Sequence, residues 1–197
     1  MNTFFAYMSR LRLIRRWGLM RNTQPENDAE HSLQVAMIAH GIAVIGRERY
    51  QRDVSPEYVL SLAVYHDATE VLTGDLPTPV KYHSQELRGA YGQVEAMAAE
   101  RLLAMLPAGM RPAFAPYLTP PDGYGRRVVK AADRISAYVK CVEEQRAGNH
   151  EFDAAGENLR QDIEAIDLPE VQDFMELFVP AFSMTLDELN APGGVVK

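Results

Sequence analysis

The chain has 197 residues, 47% of them hydrophobic, and a formal net charge of −7. That length suits one domain, residues 1–197, with a core that needs no staples, and the apolar share excludes an extended disordered chain. The negative balance leaves no electrostatic footprint for polymeric nucleic acid, and no apolar run approaches the 18–20 residues, roughly, that a membrane span requires.

The first predicted helix has Phe4, Phe5, Met8, Leu11 and Ile14 at i, i+3, i+4 spacing. Apolar and basic residues are intermixed there, whereas a signal peptide puts its charges ahead of an unbroken apolar stretch. Arg10, Arg12, Arg15, Arg16 and Arg21 crowd this region. A solvated helix face accounts for most of them, and a small anionic ligand needs only one or two. Gly18 then suggests a turn.

A second helix is predicted from Asn27, a favoured N-cap with Glu30 three residues on, with an inward stripe of His31, Val35, Ile38, Ile42 and Ile45. A third starts at Ser55 with Pro56 at its first position and runs through residues 58–73 to end near Gly74. Pro77 and Pro79 stop any continuation. A long helix is expected over residues 84–106, then a proline-rich irregular stretch over 107–125 with a short helix near 112–117. A central helix follows over 126–147, and two more over 153–166 and 169–178. No convincing strand alternation occurs, so the predicted class is all-α. The single Cys141 cannot form an internal disulfide and fits a reducing compartment, which points to the cytoplasm.

Three features break this apolar pattern. His66-Asp67 falls on the third helix beside the stripe of Val59, Leu62 and Ala63. At about 100° per residue, Glu70 lies angularly between the two. Asp133 sits in the central helix, where a buried Asp needs a cation or several donors. His31 stands in the first turn of the second helix, facing inward. Each taken alone has a plain explanation, a hydrogen-bonded core His or an Asp paired with neighbouring Arg134. Spacing alone leaves those readings and a shared metal site both open.

The local strings narrow the choice. His31, His66-Asp67 and Asp133 in this order resemble the HD superfamily of phosphohydrolases. E-H-S-L-Q-V-A at residues 30–36, Y-H-D-A-T-E-V-L-T-G-D-L-P-T-P-V-K at 65–81 and K-A-A-D at 130–133 resemble bacterial 5′-deoxynucleotidases more specifically. R-R-W-G-L-M-R-N at 15–22 and F-M-E-L-F-V-P-A-F at 174–182 fit as well, so the similarity spans nearly the whole chain.

That resemblance implies a single-domain helical HD bundle holding one divalent metal with His31, His66, Asp67 and Asp133. Such a mixed N/O donor set suits Mn, Co, Ni, Fe or Zn better than calcium. A second metal is not expected, because there are few spare histidines. His40 lies about 13 Å from His31 along the helix axis, and His83 and His150 belong to no motif. The implied reaction is hydrolysis of deoxyribonucleoside 5′-monophosphates, with Glu70 and Asp67 as catalytic carboxylates. Glu70 would orient or deprotonate the water, or else support His66. Arg16 would bind phosphate, and Trp17 would exclude a 2′-hydroxyl, against plain roles as surface arginine and core tryptophan. His31, Asp67 and Asp133 would also face the substrate. The loop of Asp75, Leu76, Pro77 and Thr78 would contact the nucleotide, with Asp75 accepting from the 3′-hydroxyl. A homodimer is implied too, residues 174–182 supplying either interface or core. The competing functions are another HD phosphohydrolase, acting on a triphosphate, cyclic dinucleotide or guanosine polyphosphate, and a non-catalytic nucleotide-binding scaffold.

Overall fold

In the computed structural model, which describes residues 1–77 and 83–191, the N-terminal helix α1 (Phe4–Met8) stops short of the predicted Ile14. The Ser9 hydroxyl donates to the Ala6 carbonyl at 3.0 Å, a local bond that competes with helix continuation. A 3₁₀ turn at Leu11–Leu13 follows, and Arg15 then pairs with Asn27 in an isolated antiparallel bridge. Residues 15–27 thereby become a loop closed at its own base.

Helix α2 (Asp28–Tyr50) begins where Asn27 Oδ1 accepts from the amides of Ala29 and Glu30, as the cap predicts. Its inward stripe is buried throughout, His31 included. Helix α3 (Pro56–Val64) is capped by Ser55, whose Oγ accepts from the Tyr58 amide at 3.1 Å.

The third helix does not continue to Gly74. It ends at Val64, and α4 (Glu70–Thr73) starts only after a run of turns. His66 causes the break: its Nδ1 donates to the Ala63 carbonyl at 2.7 Å, while its amide reaches the same oxygen at 3.3 Å. That carbonyl is therefore occupied by residue i+3, and an α-helix would instead need it for i+4. Gly74, at φ 74°, terminates α4 in a conformation costly for other residues.

Helix α5 (Gln85–Ala104) is capped by Ser84. The short helix expected in the proline-rich stretch is α6 (Arg111–Leu118), and a 3₁₀ turn at Ala108–Met110 precedes it. The central α7 (Tyr124–Arg146), then α8 (Asp153–Glu164), α9 (Pro169–Phe178) and a short α10 (Leu186–Asn190) complete the described chain. Among the described residues there is no strand beyond the isolated bridge, and no helix is long and apolar enough to cross a membrane.

Two apolar clusters result. Val35, Ile42, Val59, Leu62, Ile135 and Val171 join α2, α3, α7 and α9. Phe4, Ala68, Leu102, Leu106 and Leu118 form the second, under α1, α5 and α6. Helices α2 and α7 come close where Gly46 faces Tyr124; a methyl group there would lie 2.2 Å from the tyrosine hydroxyl. Ala63 belongs to the first cluster and Ala68 to the second. His66 and Asp67 therefore cross the seam between two cores.

Candidate active site

At that seam, the ligand atoms of His31, His66 and Asp133 all lie within 4.8 Å of one another. Asp67 joins them, with Oδ2 3.7 Å from His31 Nε2 and 3.0 Å from His66 Nε2. His31 is delivered by α2, Asp133 by α7, and the His66-Asp67 pair by the turns after α3. Asp133 corrects the sequence reading of a buried carboxylate: its side chain is 42% exposed at the rim. It faces His31 Nε2 at 3.0 Å and not Arg134.

The orientation of both imidazoles points to a cation between them. Ser136 Oγ donates to Gln34 Oε1 at 2.6 Å, so it accepts from His31 Nδ1 at 3.1 Å. With its proton on Nδ1, a neutral His31 turns the Nε2 lone pair toward the Asp133 carboxylate, and two acceptors then face each other. Only a positive charge, a proton or a metal ion, reconciles them. His66 repeats the pattern, because Nδ1 is spent on Ala63 and the buried Nε2 lies 3.0 Å from Asp67 Oδ2 without a hydrogen bond of good geometry. An outer hydrogen bond that fixes the tautomer is what a metal-binding histidine requires. The donor set and the orphaned Nε2 both fit one divalent cation.

Electrostatics agree. Burial alone would lower the His66 pKa, yet Asp67 and Asp133 raise it to about 9. Burial would raise Asp67, but His66, His31 and Arg16 hold it well below the usual carboxylate range. Glu70 is buried, and burial with the charges of Asp67, Asp28 and Asp75 pushes it up to about 10. Asp28, fully buried beside Glu70, rises to about 7 through burial and the charge of Asp67. A site so rich in carboxylates holds protons readily, and a divalent cation would compete for the same groups.

Beside the cluster lies the loop over residues 15–27. Arg16 Nη1 is 3.5 Å from Asp67 Oδ2. Trp17 has φ 56°, a left-handed conformation that costs a bulky residue about 1–2 kcal/mol. Its indole Nε1 donates to Glu26 Oε2 at 2.9 Å, and its ring lies against Phe152 at 5.3 Å. The loop is tied to α7 through Glu144, which accepts from the amides of Thr23 and Gln24 and is itself paired with buried Lys140.

The sequence profile of the 5′-deoxynucleotidase YfbR-like family matches residues 3–182. Curated 5′-deoxynucleotidases of Vibrio parahaemolyticus and Escherichia coli K12 are 46% and 48% identical to the chain, each over 95% of it and over 97% and 95% of their own lengths. The chain belongs to the 5′-deoxynucleotidase YfbR-like family. Among solved structures, an HD-domain phosphohydrolase of Listeria innocua matches with TM-score 0.79 at 24% identity, covering 91% of this chain and 88% of that one. A cyanophage S-2L HD phosphohydrolase, described as bound to dA and one catalytic Zn²⁺ ion, matches with TM-score 0.64 at 21% identity, covering 91% and 96%. The fold is the helical HD-domain fold that the motifs imply.

Within this YfbR-like chain the structure brings His31, His66, Asp67, Asp133 and Arg16 together and sets Glu70 and Asp75 in their electrostatic reach. Trp17 is linked to them through Glu26. Leu76 and Pro77 follow as half-buried irregular chain, and Thr78 lies outside the described residues. Four further residues escaped the sequence reading. Gln34 and Ser136 lie three residues after His31 and Asp133, so helical spacing alone could have found them. Asp28 reads as an ordinary first-turn acid favoured by the helix dipole. Glu26 is in a loop and carries no local signal.

Proposed function

We propose that this chain hydrolyses deoxyribonucleoside 5′-monophosphates to deoxynucleoside and phosphate, as a metal-dependent phosphoric monoester hydrolase. The convergence of His31, His66 and Asp133 beside Asp67, with each histidine's Nδ1 already engaged, is the observation that carries it. His31, His66, Asp67 and Asp133 would hold one divalent cation, Co, Mn, Ni, Fe or Zn. Such a cation polarises the phosphoryl group and acidifies the attacking water. The cyanophage protein, with dA and one Zn²⁺ on the same fold, supports a nucleoside-sized ligand and a single cation.

The protein's own groups then divide the work. Arg16, adjoining Asp67, presents a planar fork of donors to the phosphate. Glu70 orients the water and takes its proton in the carboxylate form, which a bound cation beside Asp67 would favour over the protonated form that burial and the neighbouring carboxylates hold without it. Asp67 helps align the water as well as ligating. Trp17, held rigid at its left-handed turn, walls off the space a 2′-oxygen would fill. Asp75 accepts from the 3′-hydroxyl, and Leu76 and Pro77 border the sugar and base.

Two coarser properties extend the reading. A cytoplasmic place suits the one cysteine, Cys141, buried and unpaired. A homodimer suits α9, where Leu177 and Phe178 stay exposed while Phe174 closes on Gly41 of α2.

Phosphate release from dAMP, AMP and a deoxynucleoside 3′-monophosphate, each with a panel of divalent metals, tests the activity. Hydrolysis is expected for dAMP, with rates on the other two lower by more than about 10²-fold, the limit for an apolar pocket that meets an added hydroxyl. Equal rates on dAMP and AMP would defeat the sugar selectivity, and no release with any metal would defeat the phosphohydrolase.

A further inference from the structure

Glu26 holds Arg16 and Trp17 at once. A single oxygen, Oε2, accepts from Arg16 Nε at 3.3 Å and from Trp17 Nε1 at 2.9 Å. Its other oxygen, Oε1, lies 3.9 Å from His31 Nδ1. The Glu26 carbonyl also accepts from the Arg16 amide at 3.1 Å, so side chain and backbone grip the same neighbour. Arg16 and Glu26 are only 14% and 13% exposed in their side chains, a setting in which these charge-assisted bonds are little screened.

Geometry makes this carboxylate the hinge between two parts of the site. Arg16 points its Nη1 toward Asp67, at the cation cluster. The indole leaves the backbone at a left-handed residue, which it cannot hold by local preference. Asn22 Nδ2 supports that turn through the Trp17 carbonyl at 3.2 Å, and Phe152 backs the ring. Neither contact relates the ring to Arg16. The shared Glu26 oxygen does, and so fixes the separation between the phosphate-facing guanidinium and the sugar-facing indole.

We infer that Glu26 is the positioning residue for sugar selectivity, locking Trp17 in register with Arg16 so that a 2′-hydroxyl meets a rigid wall. The inference rests on the proposed roles of Arg16 and Trp17, and its test separates the two. Trp17 is the one tryptophan in the chain, so intrinsic fluorescence reports its environment whatever the substrate.

Emission maximum, acrylamide quenching, metal content, and separate kcat and KM for dAMP and AMP are measured for the native protein, E26A, E26D and E26Q. In E26A the emission shifts to the red, quenching rises, and the deoxy-to-ribo ratio of kcat/KM falls about tenfold or more with metal content unchanged. E26D, one methylene too short to reach both donors, follows E26A. E26Q keeps an acceptor oxygen in place and retains selectivity within about threefold. Should E26A fold poorly, judged by circular dichroism, the contrast between E26D and E26Q carries the test. Native emission and quenching in both E26A and E26D overturn the inference. A shifted emission with an intact deoxy-to-ribo ratio overturns it equally, since Glu26 is then structural. Absence of any dAMP hydrolysis in the native protein defeats the proposed function instead, and leaves the fluorescence result readable.

Discussion

Two histidines are oriented side chain by side chain as the proposed cation site requires. Each spends Nδ1 on a neighbour, Ser136 for His31 and the Ala63 carbonyl for His66, and leaves Nε2 for the common point. Asp133 and Glu70 then differ in kind. Asp133 lies directly against His31, whereas Glu70 is buried behind Asp67 with Oε2 unpartnered. Asp133→Ala should lose bound metal and activity together, read by elemental analysis beside phosphate release. Glu70→Gln, close to isosteric, should keep metal and substrate affinity while kcat drops about 10²-fold or more, the usual range for a general acid–base group. Full metal content with full turnover in Asp133→Ala, or metal loss in Glu70→Gln, would exchange or cancel these roles.

At the level of elements, α7 does two jobs with one face. Asp133, Ser136, Lys140 and Glu144 stand at i, i+3, i+7 and i+11, a single helical stripe. Its first half serves the His-Asp cluster and its second half anchors the loop that carries Arg16 and Trp17. Burial would raise the Glu144 carboxyl, but bonds from Lys140, Asn149 and Thr23 hold it well below the usual carboxylate range. A depressed folded-state pKa gives stability that is complete above the unfolded value and is lost as pH falls through the folded one. The anchor should therefore be intact at neutral pH and weaken progressively below about pH 4.3, the ordinary glutamate value. Trp17 fluorescence followed through an acid titration should move in that window. In Glu144→Gln it should already be displaced at pH 7, with a stability loss of about 3–5 kcal/mol because Lys140 is left buried without its partner. An acid titration identical in the native and variant proteins would remove Glu144 from this role.

Across the whole molecule, the site lies where two cores meet, and each core contributes one side of the His66-Asp67 crossing. On α9 and α2 stand apolar side chains that neither core covers: Leu177 and Phe178 are 49% and 48% exposed, Leu33 and Met37 60% and 59%. Exposed apolar surface of this kind marks association sites more often than chance. Light scattering should report a dimer at micromolar concentration, and Phe178→Glu should give a monomer that still binds metal. A native monomer at that concentration, or a variant that stays dimeric, would place the interface elsewhere or remove it.

Much of this was legible in the sequence, because the signals are local. Caps at Asn27, Ser55 and Ser84 mark helix starts through one side-chain oxygen each, and Gly74 marks an end through its backbone freedom. The stripe from His31 to Ile45 needed only helical periodicity, and the motif strings carried the proposed ligand set. What stayed hidden depends on contacts between distant segments. The break at residues 65–69 follows from an imidazole capturing the Ala63 carbonyl, which no propensity records. The exposure of Asp133 depends on how α7 sits against α2. The buried pair of Asp28 and Glu70 meets only after the seam has closed around it. Glu26 is the plainest case: its sequence neighbours announce nothing, and its meaning comes from a loop whose closure brings Arg16, Trp17 and His31 around one carboxylate. Local chemistry determines which helices form and which residues can bind a cation, whereas tertiary packing decides which charges are desolvated together, and so how they hold protons, metal and one another.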